Sequence, residues 1–400
     1  MKKILSINGT SFYSTGTIIK NIESSLKNRY IFYRATADEK TDYAYLITGK
    51  YLVRQSGKIP AQLFGQDGFR YSHETKKMIK WIDKIKPDLI HVHNVHGYFM
   101  NVELLMQYIY ENNIPVVYTM HDCWTFTGRC AYFDSVGCEK WKTGCGNCKY
   151  KKSYPKTRLF DLSKKQWLKK KKLFSGHNIT FVAPSEWLRR YTKESFLKDE
   201  NVLVINNGIQ TDIFAEKIEG YCLPQGIDTN KKIILSVAYP FTPQKGLNDI
   251  NKLQSLIDQN KYQIVVVGIT DEFKTMDGII RVNPTKDKRY LAFLYQHAYV
   301  FVSFTYQDNY PTVLLETIAA GTPAIAYDIG GCPEIVINEK TGYCVPVGDV
   351  ESAYLKIKQI DMIDRKKCRQ IGLSHSISSF VKKYEKVYDQ ELGESGYEKE

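Results

Sequence analysis

Short apolar runs alternate with amphipathic segments along most of the chain. The chain opens with KKILSING, which predicts a short strand ending in a turn, and residues 179–183 and 299–304 predict further buried strands. Between such runs, residues 76–85 place their apolar side chains on one face of a helix. Strands that alternate with helices are typical of α/β domains with a parallel sheet, which bind ligands beyond the carboxyl ends of their strands.

The stretch 308–334 combines a polar turn, a helix start and two acidic residues. The strand at 299–304 leads into the turn 308–310, and Pro311 stands where a helix can begin, because its missing N–H is not needed there. A helix is predicted over residues 312–320, with Glu316 inside it. The first N–H groups of a helix, at the positive end of its dipole, stabilise an anion such as a diphosphate. An acid near a helix start can also serve only as a cap, so this stretch alone leaves both interpretations open.

The same stretch resembles the nucleotide-sugar site of retaining glycosyltransferases of family 4, which have the GT-B fold. The resemblance rests on two acids with seven residues between them, Asp308 and Glu316, followed by AAGTPAIAYDIGGCPEIV and TGYCVPVGD. The family carries Glu where this chain has Asp308. The resemblance implies two Rossmann-like domains that face each other across a deep cleft. It covers most of the chain and implies an acceptor domain over 1–204, a donor domain over 205–377, and a helix over 378–400 that crosses back to the first domain.

The resemblance also implies roles for individual residues. Glu316 would bind the ribose hydroxyls, Asp308 the donor sugar, and His121 would support the reacting face. Lys245 can neutralise a diphosphate as a point charge, but family members pair this lysine with an arginine at positions that here hold Pro240 and Gln244. The expected catalytic and donor-binding residues are Gly16, His121, Lys245, Asp308, Asn309, Tyr310, Pro311, Thr312, Val313 and Glu316.

Two of these residues lie in the first half of the chain. Gly16 belongs to a Gly- and Ser-rich loop that is predicted to precede a helix starting near Thr17. His121 follows the predicted strand IPVVYTM, at the carboxyl end where catalytic groups collect in parallel sheets. A lone histidine is more often structural, and His93 and His96 are weaker candidates for acceptor contacts.

A cysteine-rich insertion over about 123–150 follows His121. Its Cys-x2-Cys pair and two further thiols suit a tetrahedral zinc ion, although reduced cysteines without metal are the alternative. An all-cysteine site leaves no open coordination position, so such a zinc would be structural. The chain has no Asp-x-Asp, and we predict no catalytic metal. The expected zinc ligands are Cys130, Cys138, Cys145 and Cys148.

Charge is distributed unevenly over the 400 residues. The first 200 residues carry 34 Lys and Arg against 18 Asp and Glu, and the last 200 carry 22 against 25. A basic first half suggests an anionic partner, and nucleic acid and anionic lipid both fit that description. The basic segment 164–174, which contains Trp167, predicts either a solvated helix or a peripheral membrane contact with Trp167 at the interface.

The leading hypothesis is a retaining glycosyltransferase of surface polysaccharide synthesis, such as capsule or exopolysaccharide. It would use a nucleotide sugar, UDP favoured over GDP, and a glycan or polyprenyl-linked oligosaccharide acceptor. A non-catalytic GT-B scaffold and a basic nucleic-acid-binding protein with a zinc module are the alternatives, and the second leaves Lys245, Asp308 and Glu316 unexplained. Met1-Lys2-Lys3 leads into a strand rather than an apolar signal segment, and nine cysteines fit a reducing compartment. We therefore expect a cytoplasmic protein. If the basic segment 164–174 is a membrane contact rather than a solvated helix, the protein would be peripheral at the inner face of the membrane.

Overall fold

The computed structural model describes residues 1–48, 51–151, 155–270 and 272–394. The chain divides into two compact units: residues 1–206 together with residues from Phe380 onward form the first, and residues 207–379 form the second. Each unit has its own parallel sheet and its own buried apolar core.

The first unit is built on a seven-stranded parallel sheet in its described part, in the order β3-β2-β1-β4-β5-β6-β7. The strand order reverses between β1 and β4, which is where a doubly wound sheet opens a crevice beyond its strand ends. The strands are β1 (Lys2–Ile7), β2 (Tyr30–Thr36), β3 (Ala44–Leu46), β4 (Leu89–Val92), β5 (Val116–Thr119), β6 (Ile179–Ala183) and β7 (Val202–Val204). The helices are α1 (Tyr13–Leu26), α2 (Tyr51–Phe64), α3 (Ser72–Ile85), α4 (Val102–Glu111), α5 (Ser163–Phe174) and α6 (Glu186–Lys193).

The second unit carries a six-stranded parallel sheet among its described residues, in the order β10-β9-β8-β11-β12-β13. Here the order reverses between β8 and β11. The strands are β8 (Lys232–Val237), β9 (Tyr262–Val267), β10 (Ile280–Val282), β11 (Val300–Ser303), β12 (Ala324–Tyr327) and β13 (Gly342–Val345). The helices are α7 (Thr211–Ala215), α8 (Leu247–Leu256), α9 (Lys288–His297), α10 (Thr312–Ala319), α11 (Cys332–Ile335), α12 (Val350–Lys358) and α13 (Arg365–Leu373).

The central strands of both sheets are buried on both faces. All six residues of β9 and all four of β12 are buried, as expected for strands covered by helices on each side. The last helix, α14 (Ile377–Glu391), begins in the second unit and packs on the first, where Tyr384 and Tyr388 are fully buried. Among the described residues, none of the helices is long and apolar enough to cross a bilayer.

The predicted order of strands and helices is correct, but one predicted boundary is wrong. Helix α1 begins at Tyr13 rather than near Thr17, so Gly16 lies in the first turn of the helix and not in a loop. A Cβ at Gly16 would lie 2.3 Å from the carbonyl carbon of Ser11. The glycine is therefore explained by close packing of the helix start on the segment before it, which the composition of the segment did not reveal.

Candidate active site

Lys245 and Asp308 lie on the two segments that leave the switch point of the second sheet. Lys245 follows β8 in a short 3-10 turn, and Asp308 follows β11. Because β8 and β11 are neighbours in the sheet, the topology brings these distant sequence positions together. The Lys245 Nζ lies 2.8 Å from Asp308 Oδ2, so the two residues form an ion pair.

The ion pair is half-buried and its lysine is charged. Burial lowers the pKa of Lys245, but the neighbouring Asp308 carboxylate raises it, and the net pKa lies above the ordinary value. Its ammonium also lies 3.5 Å from the carbonyl oxygen of Gln307. The cation and the acid that the sequence assigned to diphosphate and sugar are therefore partners of each other in this structure.

The turn from Asp308 to the start of α10 is fixed by hydrogen bonds and by close packing. The Asn309 N–H donates to Asp308 Oδ1 at 3.0 Å, and Asn207 Nδ2 donates to the Tyr310 carbonyl oxygen at 3.0 Å. Gly330, with φ +58°, packs so tightly that a Cβ there would lie 1.7 Å from the Asp308 carbonyl oxygen. Pro311 is the N-cap of α10, and the N–H groups of the first helical turn, at Thr312 and Val313, belong to the positive end of its dipole.

Glu316 lies one turn into α10 and is almost completely buried. Its carboxylate pairs with Lys288 Nζ at 2.5 Å and accepts a hydrogen bond from the Tyr295 hydroxyl at 3.3 Å. Burial, followed by the charge of Glu316, raises the pKa of Tyr295 well above its ordinary value, so the hydroxyl keeps its proton and donates. A buried carboxylate with a lysine and a tyrosine as partners is held in one orientation.

Lys288 and Tyr295 were not identified from the sequence. Both lie on α9, and the pattern of this segment, KDKRYLAFLYQH, predicts only an ordinary amphipathic helix with a basic first turn. Their spacing of seven residues, two turns of one helix face, is the only signal that could have pointed to a shared partner. Which carboxylate they contact depends on how α9 packs beside α10, and the sequence does not give that.

His121 lies two residues beyond β5, and its Nε2 is 3.0 Å from Nδ1 of His93. Burial lowers the pKa of His121 to about 4, so its ring is neutral near pH 7. His93 is buried directly after β4, and burial lowers its pKa well below the ordinary value. His93 therefore lies in the interior behind His121.

The carboxyl edge of the first sheet holds two buried acid groups and their partners. His96 Nε2 lies 2.7 Å from Asp122 Oδ2, and although burial lowers the pKa of His96, the Asp122 charge raises it above the ordinary value. Asp67 accepts N–H groups of Gly97 and Tyr98 at 2.9–3.2 Å. Asp67 was not predicted as a site residue, because its segment has no clear periodicity.

The cysteines of the insertion do not form a metal centre in this structure. Cys145 Sγ accepts the Gly128 N–H at 3.1 Å, and the thiols of Cys130 and Cys148 hydrogen-bond each other, which raises the pKa of the first and lowers that of the second. Across the described ranges, no group of three or more His, Cys, Asp or Glu side chains is arranged to hold a metal ion. The zinc prediction on Cys130, Cys138, Cys145 and Cys148 is therefore not confirmed.

Helix α5 is basic as predicted, but its tryptophan does not face outward. Trp167 is buried and its indole N–H donates to the Trp141 carbonyl oxygen at 2.8 Å. Lys170 is also buried, with its ammonium 2.6 Å from the Trp124 carbonyl oxygen. The prediction of Trp167 at a lipid interface is therefore wrong. The outer face of the helix consists of exposed side chains, namely Lys164, Lys165, Leu168, Lys171 and Lys172.

Comparison with known proteins agrees with this architecture. Residues 30–213 match the family model "Glycosyltransferase Family 4", and residues 222–373 match "Glycosyl transferases group 1". The chain is 28% identical over 291 residues to a protein of Escherichia coli K12 named as a colanic acid biosynthesis glycosyl transferase, WcaC. That alignment covers 70% of this chain and 69% of the relative.

Two solved structures show the same fold at low sequence identity. A sucrose-phosphate synthase from Thermosynechococcus elongatus has a TM-score of 0.70 at 16% identity and covers 99% of this chain and 100% of its own. Anabaena HepE, solved in complex with UDP-glucose, has a TM-score of 0.65 at 11% identity and covers 98% and 100%. The fold is that of the GT-B glycosyltransferases. The two family models together span most of the chain, and the protein therefore belongs to the glycosyltransferases of group 1 and family 4 that they describe.

Proposed function

We propose that the protein transfers a sugar from a nucleotide-sugar donor to a hydroxyl group of a glycan, with retention of the anomeric configuration. The observation that carries this proposal is the set of charges at the switch point of the second sheet. Lys245 and Asp308 are paired there, and Glu316 is held by Lys288. A diphosphate needs a cation, and a sugar and a ribose need fixed hydrogen-bond acceptors, which these residues supply.

In the proposed reaction, the bond between the anomeric carbon and the diphosphate oxygen breaks while negative charge grows on the leaving diphosphate. The Lys245 ammonium and the first N–H groups of α10 would stabilise that charge, because fixed donors are most effective where charge develops. Asp308 would accept hydroxyl groups of the donor sugar, and Glu316 those of the ribose. His121 would contribute to the reacting face, and the leaving phosphate would accept the proton of the incoming hydroxyl on the same face. The chain lacks the second phosphate-binding arginine, so Lys245 carries this role alone among the expected positions.

We further propose UDP over GDP as the donor nucleotide and a lipid-linked glycan of surface polysaccharide synthesis as the acceptor. The relative named for colanic acid biosynthesis and the HepE complex with UDP-glucose support these choices. The exposed lysines of α5 suit an anionic membrane surface that would carry such an acceptor. Sedimentation with vesicles of neutral or anionic lipid would test the membrane contact, and equal sedimentation with both would contradict it.

The structural zinc stays a prediction. Elemental analysis of the purified protein would settle it, with one zinc per chain expected if the cysteines bind metal. Substitution of Cys145 by Ser should then remove the metal, whereas the same substitution at the exposed Cys222 should not. Metal-free protein of full stability would establish reduced thiols instead.

Calorimetric titration with UDP and GDP tests the donor site directly. We expect the wild-type protein to bind UDP more tightly, and Glu316→Ala to weaken binding by about tenfold to a hundredfold, as for loss of charged hydrogen bonds. Glu351→Ala is the matched control, because Glu351 also pairs with a lysine of the second unit but lies on the exposed face of α12. Absence of binding to either nucleotide would favour the non-catalytic scaffold.

A further inference from the structure

His93 is fixed at the end of β4 by its backbone and by its ring. Its N–H donates to the Ile7 carbonyl oxygen at 2.9 Å, which extends the pairing of β4 with β1 by one residue. Its imidazole lies between two other histidine rings, with centroids 3.9 Å from His91 and 5.3 Å from His121. The ring therefore cannot rotate without displacing its neighbours.

The far side of this stack is held by the last helix. His91 Nδ1 lies 2.7 Å from the Tyr388 hydroxyl, and His91 Nε2 lies 2.8 Å from Thr119 Oγ1. Thr119 in turn hydrogen-bonds the Tyr384 hydroxyl at 2.8 Å. Helix α14 thus fixes His91, and His91 supports His93.

The hydrogen bond between His93 and His121 has a direction that can be deduced. Both rings are neutral, so each carries one proton, and one of the two nitrogens in the contact must donate. The other ring nitrogen of His93, Nε2, is buried and has no hydrogen-bond partner among the described residues. A buried N–H without a partner is rarer than a buried acceptor without one. The His93 proton therefore lies on Nδ1 and is donated to His121 Nε2.

We propose that His93 is a positioning residue that holds His121 in the tautomer with its proton on Nδ1. His121 Nε2 is occupied as an acceptor, so Nδ1 carries the ring proton and can only donate a hydrogen bond. In the proposed role of His121 at the reacting face, Nδ1 would donate to a substrate oxygen. The oxygen would belong to a sugar hydroxyl or to a phosphate, both of which accept such a bond. The inference about substrate rests on the proposed role of His121, whereas the tautomer itself does not.

Three substitutions at His93 separate donation from packing. In His93→Asn, the amide NH2 can occupy the place of Nδ1 and donate to His121. In His93→Asp, a carboxylate of the same shape can only accept, so His121 must turn its proton to Nε2. His93→Leu fills part of the space without any hydrogen bond.

The first readout is nitrogen NMR of ¹⁵N-labelled histidine, assigned with His121→Gln. We expect the wild type and His93→Asn to show the His121 proton on Nδ1, and His93→Asp to show it on Nε2. His91→Gln is the control, because it loses stability from the same stack without touching His121. A wild-type spectrum with the His121 proton on Nε2 would overturn the proposal even if no variant folds.

The second readout is transfer kinetics beside UDP binding. We expect kcat/KM for the donor to fall tenfold to a hundredfold in His93→Asp and only a few fold in His93→Asn, with UDP affinity unchanged in both. Equal kinetic losses in the isosteric pair would reduce His93 to a packing residue and contradict the proposal. Failure of wild-type protein to bind UDP would instead contradict the proposed function and leave the tautomer result standing.

Discussion

The candidate reactive groups at the carboxyl edges of the two sheets are held in different ways. In the second unit, each functional charge has a partner of opposite sign, as in the pairs of Lys245 with Asp308 and of Glu316 with Lys288. In the first unit, the rings of His91, His93 and His121 are stacked and neutral, and the ion pair of His96 with Asp122 is separate from this stack. The difference suggests that one edge is built to exchange its charge partners for those of a ligand, and the other to hold a ring in place.

Removal of the lysine should give the largest effect. Lys245→Ala removes the cation that is expected at the phosphate, and we expect kcat/KM to fall by about 10²–10³. Lys252→Ala is the control, because Lys252 also pairs with a carboxylate of this unit but lies on the exposed side of α8. A loss below threefold in steady-state transfer assays would show that the pair with Asp308 is only structural.

The second largest effect is expected from a substitution that crowds the backbone of Asp308. Gly330→Ala places a Cβ 1.7 Å from the Asp308 carbonyl oxygen and adds strain at φ +58°. We expect a loss of unfolding free energy on the order of 2–4 kcal/mol and weakened UDP binding. Gly220 has φ +85° with nothing within 4 Å of its Cβ position, so Gly220→Ala carries the strain without the crowding. Similar losses in the two variants, measured by denaturant unfolding, would attribute the effect to backbone strain alone.

Lowering the pH should reduce the free energy of unfolding of the first unit, because its stacked histidines are neutral in the folded state. Burial lowers the pKa of His91 to about 3, against about 6.5 in the unfolded chain, so between these values only the unfolded state binds the proton. The contribution of each such histidine to the free energy of unfolding is complete above pH 6.5. It decreases as the pH is lowered, by about 1.4 kcal/mol per pH unit. The raised pKa of His96 acts in the opposite sense, since its contribution is present at low pH and lost as pH rises.

All five tryptophans lie in residues 1–206, so their fluorescence reports unfolding of the first unit. We expect its stability to fall between pH 6.5 and 5, with a shallower slope in His91→Asn. His73 is exposed, and His73→Asn should leave the slope unchanged. Equal slopes in the two variants would show that His91 is already protonated in the folded state.

The smallest effect is expected at the partner of Glu316. Lys288→Met keeps the length of the side chain but removes the cation, and the Tyr295 hydroxyl remains as a partner of the buried carboxylate. We expect UDP affinity to change by about threefold to tenfold, since half of the Lys288 side chain is exposed and solvent screens the pair. Arg289→Met, at the neighbouring and exposed position of α9, is the comparison in the same titration.

The sequence was sufficient for the fold and for the ends of the strands, because these follow from local patterns. Residues 312–320 were predicted as a helix, and α10 spans Thr312–Ala319. Contacts between separate elements were not predictable, since no local pattern encodes which side chains meet. Two such contacts, Lys288 with Glu316 and His93 with His121, each join residues that are 28 positions apart in the sequence. Trp167 was misplaced for the same reason, because a lysine-rich helix does not reveal which of its faces is buried.

Helix α14 has a consequence for the order in which the protein is made. Residues 1–206 leave the ribosome first, yet the hydroxyl groups that satisfy His91 and Thr119 belong to Tyr388 and Tyr384. Until α14 is synthesised, these buried groups lack their partners, and unsatisfied buried polar groups cost about 1–3 kcal/mol each. The nascent first unit can collapse around its apolar core, but its histidine stack reaches its final arrangement only after translation has passed the whole second unit.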